Sequence, residues 1–439
     1  MFIHIERYLN KLPQEIRDLI SRAGTLASSG NMPVYLVGGF VRDLILDVRN
    51  LDLDIVVEAD GIKFAEMLTR KLKARLIRHR RFGTATIVLK NHLKVDIATA
   101  RKERYPQPAE LPDVTSGELR DDLARRDFTI NAMAISINRQ DFGRFIDFFA
   151  GREDLQAKKI RVLHDLSFID DPTRILRAVR FEQRYNFKIE PKTLKFLKEA
   201  VSLRMLEKVQ PQRLRDELIL MLKEKDPSRQ LRRLKELSGL KFISPGLSLK
   251  KNTALFLKAI AREISWFKQN YPRRRQLDSW LIYFIGLIDS LAMDKIKSVC
   301  RRFVFRRGEE KRILDYKKIK PGFIAELSRD KLKASRVFNL LEPLSYEIII
   351  CIRAKYSRQS GIPQNAGKNK NIRKHIADFF TTYNGTRLYI CGEDLRRLGL
   401  VPGPQYQKIF HRVLNARLDN IVKTKKEELE LIRKISKDA

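Results

Sequence analysis

The sequence predicts an α/β catalytic head built on a small mixed sheet, followed by an all-α C-terminal region. Short apolar and β-branched runs alternate with helical segments through about residue 145. A Gly151-Arg152-Glu153-Asp154-Leu155 turn then marks the exit, and helical periodicity dominates from about Phe168 onward.

The first element is an amphipathic helix over residues 5–28, with Ile5, Leu9, Leu12, Ile16, Ile20 and Leu26 apolar, ending at Ser28-Ser29-Gly30-Asn31. A strand-like run from Val34 to Val37 follows. It delivers Gly38-Gly39, where backbone N–H groups can approach a phosphate without Cβ interference. In Leu51-Asp52-Leu53-Asp54-Ile55-Val56-Val57 the strand period of two puts both carboxylates on one face and Leu51, Leu53 and Ile55 on the other. Two adjacent carboxylates repel unless a cation sits between them, and magnesium, held by carboxylates and substrate phosphate oxygens, supplies one. A solvated strand edge with two surface aspartates is the plainer alternative.

Asp60-Gly61 makes a turn, Ile62–Leu72 a helix, and Thr84–Leu89 with Leu93–Ala98 two strands joined at Lys90-Asn91-His92. The second strand carries Asp96, a candidate third carboxylate. Residues Glu103–Leu123, rich in proline and acidic side chains and lacking periodicity, read as a mobile loop. In Arg125-Arg126-Asp127-Phe128-Thr129-Ile130-Asn131 the arginines can clamp phosphates, Asp127 can fix their geometry, and Asn131 offers donor and acceptor to a ribose. By composition alone the same stretch could be structural.

Asp170-Asp171-Pro172-Thr173-Arg174 opens a helix. Asp171 suits its N-terminus and Pro172 its first turn, so capping partly accounts for the pair. Asp171 and Arg174 also share a face, presenting an acceptor beside a donor fork. Cytosine and adenine each show an amino donor next to a ring-nitrogen acceptor and match that pair. Guanine and uracil reverse the order and would leave buried groups unpaired at about 1–3 kcal/mol each. Arg177 and Arg180 continue the basic side toward phosphate.

The chain has 439 residues, 43% of them hydrophobic, enough for two to four packed units. No run approaches a membrane span; the longest candidate, Trp280–Ile288, is about half of one. Cys300, Cys351 and Cys391 are odd in number and scattered, which argues against a disulfide or zinc framework. The net charge is +36; residues 1–200 hold 36 Lys/Arg and 28 Asp/Glu, whereas residues 201–439 hold 53 and 25. A polyanion is the natural partner of the second half, and nucleic acid fits better than membrane because no basic face is paired with a strongly apolar one. Arg301 and Arg306 are among its candidate phosphate contacts. Ser357–Arg373 reads as a flexible basic loop, and Gly403, in the Gly-Pro turn opening a later helix, as a candidate backbone phosphate seat.

Gly38, Gly39, Val41, Arg42, Asp43, Asp52 and Asp54 together resemble the "GGxVRD…DxD" signature of the nucleotidyltransferase superfamily, in the form shown by class II CCA-adding enzymes and bacterial poly(A) polymerases. Arg125–Ala132 matches that family's RRDFTxNA motif. Asp170–Arg174 resembles its E-D-x-x-R templating motif with the first Glu replaced by Asp170, and Arg213 with Glu217 resembles a pair that scaffolds the helix preceding the body. Gly392, Asp394, Leu395, Gly399, Pro402, Gly403 and Pro404 are similar to the family's tail element, with Gln407 where relatives often carry glycine.

The resemblance implies a polymerase-β-type head over 1–145, a base-selecting neck over 146–240, a body over 241–350 and a tRNA-binding tail over 351–439. It implies two Mg2+ ions on Asp52 and Asp54, with Asp96 a lesser candidate. Gly38, Gly39, Arg42, Arg125, Arg126, Asp127 and Asn131 would bind nucleotide, and Asp171 with Arg174 would select its base. The implied reaction is template-independent addition of all or part of the 3′-terminal CCA to tRNA from CTP and ATP. A CC-only or A-only enzyme and a poly(A) polymerase are the alternatives, and an inert head on an RNA-binding module the rival from another class. The expected setting is cytoplasmic, without membrane or DNA; oligomeric state is open.

Overall fold

The computed structural model describes residues 5–50, 52–80, 83–357 and 366–437. The chain divides into two compact units, Met1–Leu218 with Glu236–Ser238 and Ile219–Lys235 with Gly239–Ala439.

In the first unit the strands are β1 (Val34–Val37), β2 (Leu53–Val57), β3 (Arg75–His79), β4 (Thr84–Val88), β5 (Lys94–Thr99), β6 (Arg101–Arg104), β7 (Asp113–Ser116), β8 (Met133–Ser136) and β9 (Phe145–Asp147), with a parallel pair of two-residue strands, Lys159–Ile160 and Lys188–Ile189. Seven form one sheet in the order β3-β4-β5-β2-β1-β8-β9. β2 and β5 run parallel, with Asp54 opposite Asp96, and the other neighbours are antiparallel. The sheet is therefore mixed, as expected. The helix Gly61–Leu72 packs on β2, β4 and β5, burying Phe64, Ala65 and Leu68. Asp60 caps it by accepting from the Lys63 N–H at 3.0 Å.

Several sequence expectations need correction. The lead helix is two pieces, Ile5–Leu9 and Gln14–Ser29, because Pro13 cannot donate within a continuous helix. Glu103–Leu123 is not a loop: β6 and β7 form a hairpin there, and Leu119–Ala124 is a helix with a capping box from Glu118 and Asp121. β7 is wholly exposed and held only by its ladder, so it leaves no burial pattern to detect. β3 was missed for the same reason, since four of its five residues are exposed. The Gly151–Leu155 turn is the helix Gly151–Gln156. Ser357–Arg373 is helical from Ala366, within Ala366–Thr381; residues 358–365, like Leu51 at the start of the carboxylate strand, lie outside the described residues.

The second unit is helical throughout its described elements. Its core is Ser279–Ile288, buried from Trp280 to Ile288 and packed by Lys251–Asn270 and Tyr346–Lys355. The apolar run is thus half a membrane span in length because it is a core helix buried all round. Two buried carboxylates are neutralised inside this core. Glu347 accepts two 2.8 Å bonds from Arg275, and Glu263 accepts from Arg353, which stacks 3.5 Å over Trp266. Ile390, Leu395, Ile409, Val413 and Ile432 form a separate small core near the C-terminus. No described helix is long and apolar enough to cross a membrane.

Candidate active site

β1 leads into Gly38, whose φ of +71° is a conformation that glycine adopts without strain. A Cβ at Gly38 would lie 2.5 Å from Arg126 Nη1 and 3.6 Å from Asp54 Oδ2, so a side chain there would displace the arginine. The helix Gly39–Ile45 starts there. On the adjacent strand, Leu53 and Ile55 are each 1% exposed on the core face, while Asp52 and Asp54 project from the other. Burial is the main influence on Asp54 and pushes its carboxyl up to about 6; Arg126 opposes this, and Asp96 and Asp52 add to it. The Asp52 N–H is held by Asn50 Oδ1 at 2.9 Å. Asp96 accepts from the Thr86 hydroxyl at 2.5 Å and does not line the cavity described next.

A cavity of about 960 Å³ opens over this floor. Gly39, Arg42, Asp52, Asp54, Arg125, Arg126, Asp127, Asn131, Asp171, Arg174, Arg177 and Arg180 all line it, so nearly every residue singled out in the first half of the sequence converges there. Three carboxylates organise its arginines. Asp122, fully buried, accepts from Arg125 at 2.9 and 2.6 Å and from Arg126 at 2.9 Å. Burial disfavours its charge, but Arg126 and Arg125 outweigh this and hold the carboxyl below the usual range. Asp127 accepts from the Phe128 N–H, from Asn131 Nδ2 and from Arg177 Nε, each at 2.8 Å. Burial again opposes its charge, and Arg177, Asn131 and Arg174 overcome it, leaving Asp127 at about 2. Asp43 accepts from Arg42 Nε, Asn50 Nδ2 and the Tyr185 hydroxyl, each at 2.8 Å.

Phe181 supports three guanidiniums, with Arg42, Arg177 and Arg180 at 5.2, 5.4 and 4.8 Å from its ring centre. It sits on Thr173–Tyr185, the helix that also presents Arg174. Asp171 caps that helix, accepting from the Thr173 N–H at 3.1 Å, and pairs with Arg213 at 2.8 Å. Arg174 does not pair with Asp171: it donates to Ser167 Oγ at 2.5 Å and to the Arg125 carbonyl at 2.8 Å. Asp171, which also accepts from the Thr173 hydroxyl at 2.6 Å, and Arg174 line the same cavity as Asp52 and Asp54.

Arg213 and Glu217 do not pair with each other. Glu217 accepts from Arg177 at 2.8 Å and Arg180 at 3.3 Å, so both residues reach into the network around the cavity. Arg301, Arg306 and Gly403 belong to the second unit, exposed in each case. Sequence reasoning missed Asp122, Asn50 and Phe181, and Tyr105, which also lines the cavity. Asp122 had left a signal, since it lies three and four residues before the two arginines on one helical turn.

A small mixed sheet whose glycine turn and strand carboxylates floor an arginine-lined cleft defines a nucleotidyltransferase-type head. The family model described as "Poly A polymerase head domain" matches residues 34–161, and "Probable RNA and SrmB- binding site of polymerase A" matches 186–250. An A-adding tRNA nucleotidyltransferase of Geobacter sulfurreducens is 36% identical over 98% of this chain, which spans only about half, 48%, of that protein's length. One from Halalkalibacterium halodurans is 31% identical over 94% of this chain and 91% of its own. The solved structure "The structure of CCA-adding enzyme apo form II" superposes with a TM-score of 0.74 at 37% identity, covering 98% of each chain. The chain belongs to the family of tRNA nucleotidyltransferases and bacterial poly(A) polymerases.

Members of this family generally use a divalent metal. The donor set here suits a hard cation: Asp52 and Asp54 offer only oxygen, and both line the cavity. No group of three or more His, Cys, Asp or Glu side chains close enough for a metal occurs among the described residues. Phosphate and water oxygens would complete the shell.

Proposed function

We propose that this protein is a template-independent tRNA nucleotidyltransferase that adds all or part of the 3′-terminal CCA from CTP and ATP, acting in the cytoplasm. One observation carries the reading: Asp171 and Arg174 line the same cavity as Asp52 and Asp54. An acceptor and a donor fork on a protein helix can then stand in for a template beside the carboxylates that serve the chemistry. The relatives' names, which include A-adding tRNA nucleotidyltransferases, support the substrate class.

In this reading the 3′-hydroxyl of the RNA attacks the α-phosphorus of the bound nucleotide. A new P–O bond forms as the hydroxyl proton passes to water, the bond to the β-phosphate oxygen breaks, and pyrophosphate leaves with its charge. Two Mg2+ ions on Asp52 and Asp54 would supply Lewis-acid activation of the hydroxyl and charge neutralisation. Arg125 and Arg126 hold the triphosphate and Gly38-Gly39 let it approach the backbone. Asp127 aligns Asn131 and Arg177 toward the ribose and phosphates. Arg174 donates to the ring nitrogen and Asp171 accepts from the amino group of cytosine or adenine. The strongly basic second half, with Arg301, Arg306 and the Gly403 turn among its contacts, holds tRNA by shape and backbone.

The test is incubation of purified protein with tRNA ending at the discriminator base, or after C74-C75, with CTP and ATP separately and together. Extension by A alone, by CC alone, or by CCA identifies the activity. Homopolymeric A tails on unstructured RNA would replace the tRNA reading with poly(A) synthesis, and no incorporation on any RNA would leave an inert head.

A further inference from the structure

Asp122 is fully buried, faces the cavity only through the arginines it holds, and has no part in the chemistry above. Its two oxygens take three charge-assisted bonds from two neighbouring guanidiniums, one engaged by Arg125 and the other by Arg126 Nη2. The other end of Arg126 points at the carboxylate floor. Arg126 Nη1 and Asp54 Oδ2 both lie within 4 Å of the point where a Gly38 Cβ would stand, yet no ion pair joins them, and Arg126 Nε is buried without an acceptor. The arginine is thus stretched between two carboxylates and bonded to only one.

We propose that Asp122 is a positioning residue that keeps Arg126 from neutralising Asp54, so that the carboxylate floor stays open to a divalent cation while Arg126 stays available to the triphosphate. Asp54 is a partly buried anion beside two other carboxylates, and any free cation within reach is drawn to it. Held at Nη2 by Asp122, Arg126 cannot close the remaining gap. Released, it rotates onto Asp54, becomes an internal competitor of the metal, and leaves the triphosphate one guanidinium short. Arg125 keeps Glu103 as a second partner at 3.1 Å, so the effect falls mainly on Arg126. This inference rests on the assignment of Asp54 as a metal-binding carboxylate.

The experiment measures Mn2+ binding to the full chain by electron paramagnetic resonance, beside steady-state incorporation. Asp122→Asn, of the same shape without the charge, should weaken Mn2+ binding about tenfold, the effect of moving one opposite charge onto a carboxylate, and raise the nucleotide KM. Asp122→Asn with Arg126→Gln should regain wild-type Mn2+ affinity while keeping the high nucleotide KM, a pattern a merely structural role would not produce. Asp122→Glu, which keeps the charge if the neutral variant fails to fold, should bind Mn2+ nearly as the wild type does. Unchanged Mn2+ affinity in Asp122→Asn, no recovery in the double variant, or a loss in Asp122→Glu as large as in Asp122→Asn would each overturn the inference. If Asp54→Ala binds Mn2+ like the wild type, the assignment of Asp54 is wrong and the inference falls with it. Mn2+ binding that depends on Asp54 but ignores Asp122 sinks the inference alone.

Discussion

Replacing Asp127 by Asn should cost about 3 kcal/mol at neutral pH, and that cost should shrink in acid. In the folded protein burial works against the Asp127 charge, but Arg177 and the Asn131 amide hold its carboxyl at about 2. An unfolded aspartate titrates near 3.9. A carboxyl whose folded pKa lies below its unfolded one stabilises the fold above the unfolded value and loses that stabilisation as pH falls toward the folded one. The gap of roughly two units is about 2–3 kcal/mol at pH 7, and about half of it is gone at pH 3. The hydrogen-bond inventory agrees. Asn loses the anion that three donors share, but Arg177 still has Glu217 at 2.8 Å, so the loss sits at the low end of the roughly 3–5 kcal/mol for breaking a buried pair. The assay is urea denaturation of wild type and Asp127→Asn at pH 7 and pH 3, following the first unit's transition. A difference that stays constant between the two pH values, or grows in acid, would refute the idea that these cations hold Asp127 ionised.

Gly38→Ala puts a Cβ where Arg126 Nη1 now lies, so the arginine must move, and places alanine at φ +71°, ψ −135°, a backbone cost of about 1–3 kcal/mol; incorporation should fall much more than thermal stability does. Arg174→Ala should relax the preference for CTP and ATP over GTP and UTP while filter-bound tRNA is retained nearly as before; unchanged selectivity would remove its base-reading role. Glu347→Gln leaves Arg275 and Arg312 short of a buried anion in the second unit and should cost about 3 kcal/mol in a melt, with nucleotide KM unaltered. tRNA affinity should fall linearly on a log-log plot against salt, with a slope that reports several phosphates; a slope near zero would detach the basic half from RNA.

Local chemistry was enough to pick out most of the residues that line the candidate site. Gly38-Gly39, Asp52 with Asp54, and Arg125-Arg126-Asp127 each announce themselves, because turn conformation, strand alternation and adjacent charge are short-range properties. The same holds for Asp171 and Arg174, whose helical spacing and Pro172 start are written within four residues. Length, periodicity and charge distribution likewise separate a mixed head from a basic helical remainder.

Pairing across the chain was not legible. That Asp54 stands opposite Asp96, yet Asp96 turns to Thr86, depends on the β2–β5 and β4–β5 registers. That Arg213 meets Asp171 and Glu217 meets Arg177, rather than each other, depends on where one helix lies against another. The exposed hairpin β6–β7 is specified by its ladder and not by burial, so no apolar pattern marks it. Asp122 shows the division most plainly: its spacing to Arg125 and Arg126 is in the sequence, but only packing removes it from water and brings Arg126 close to Asp54. Short-range sterics and periodicity are properties of neighbouring residues, whereas burial and partner choice arise only when distant segments share one interior.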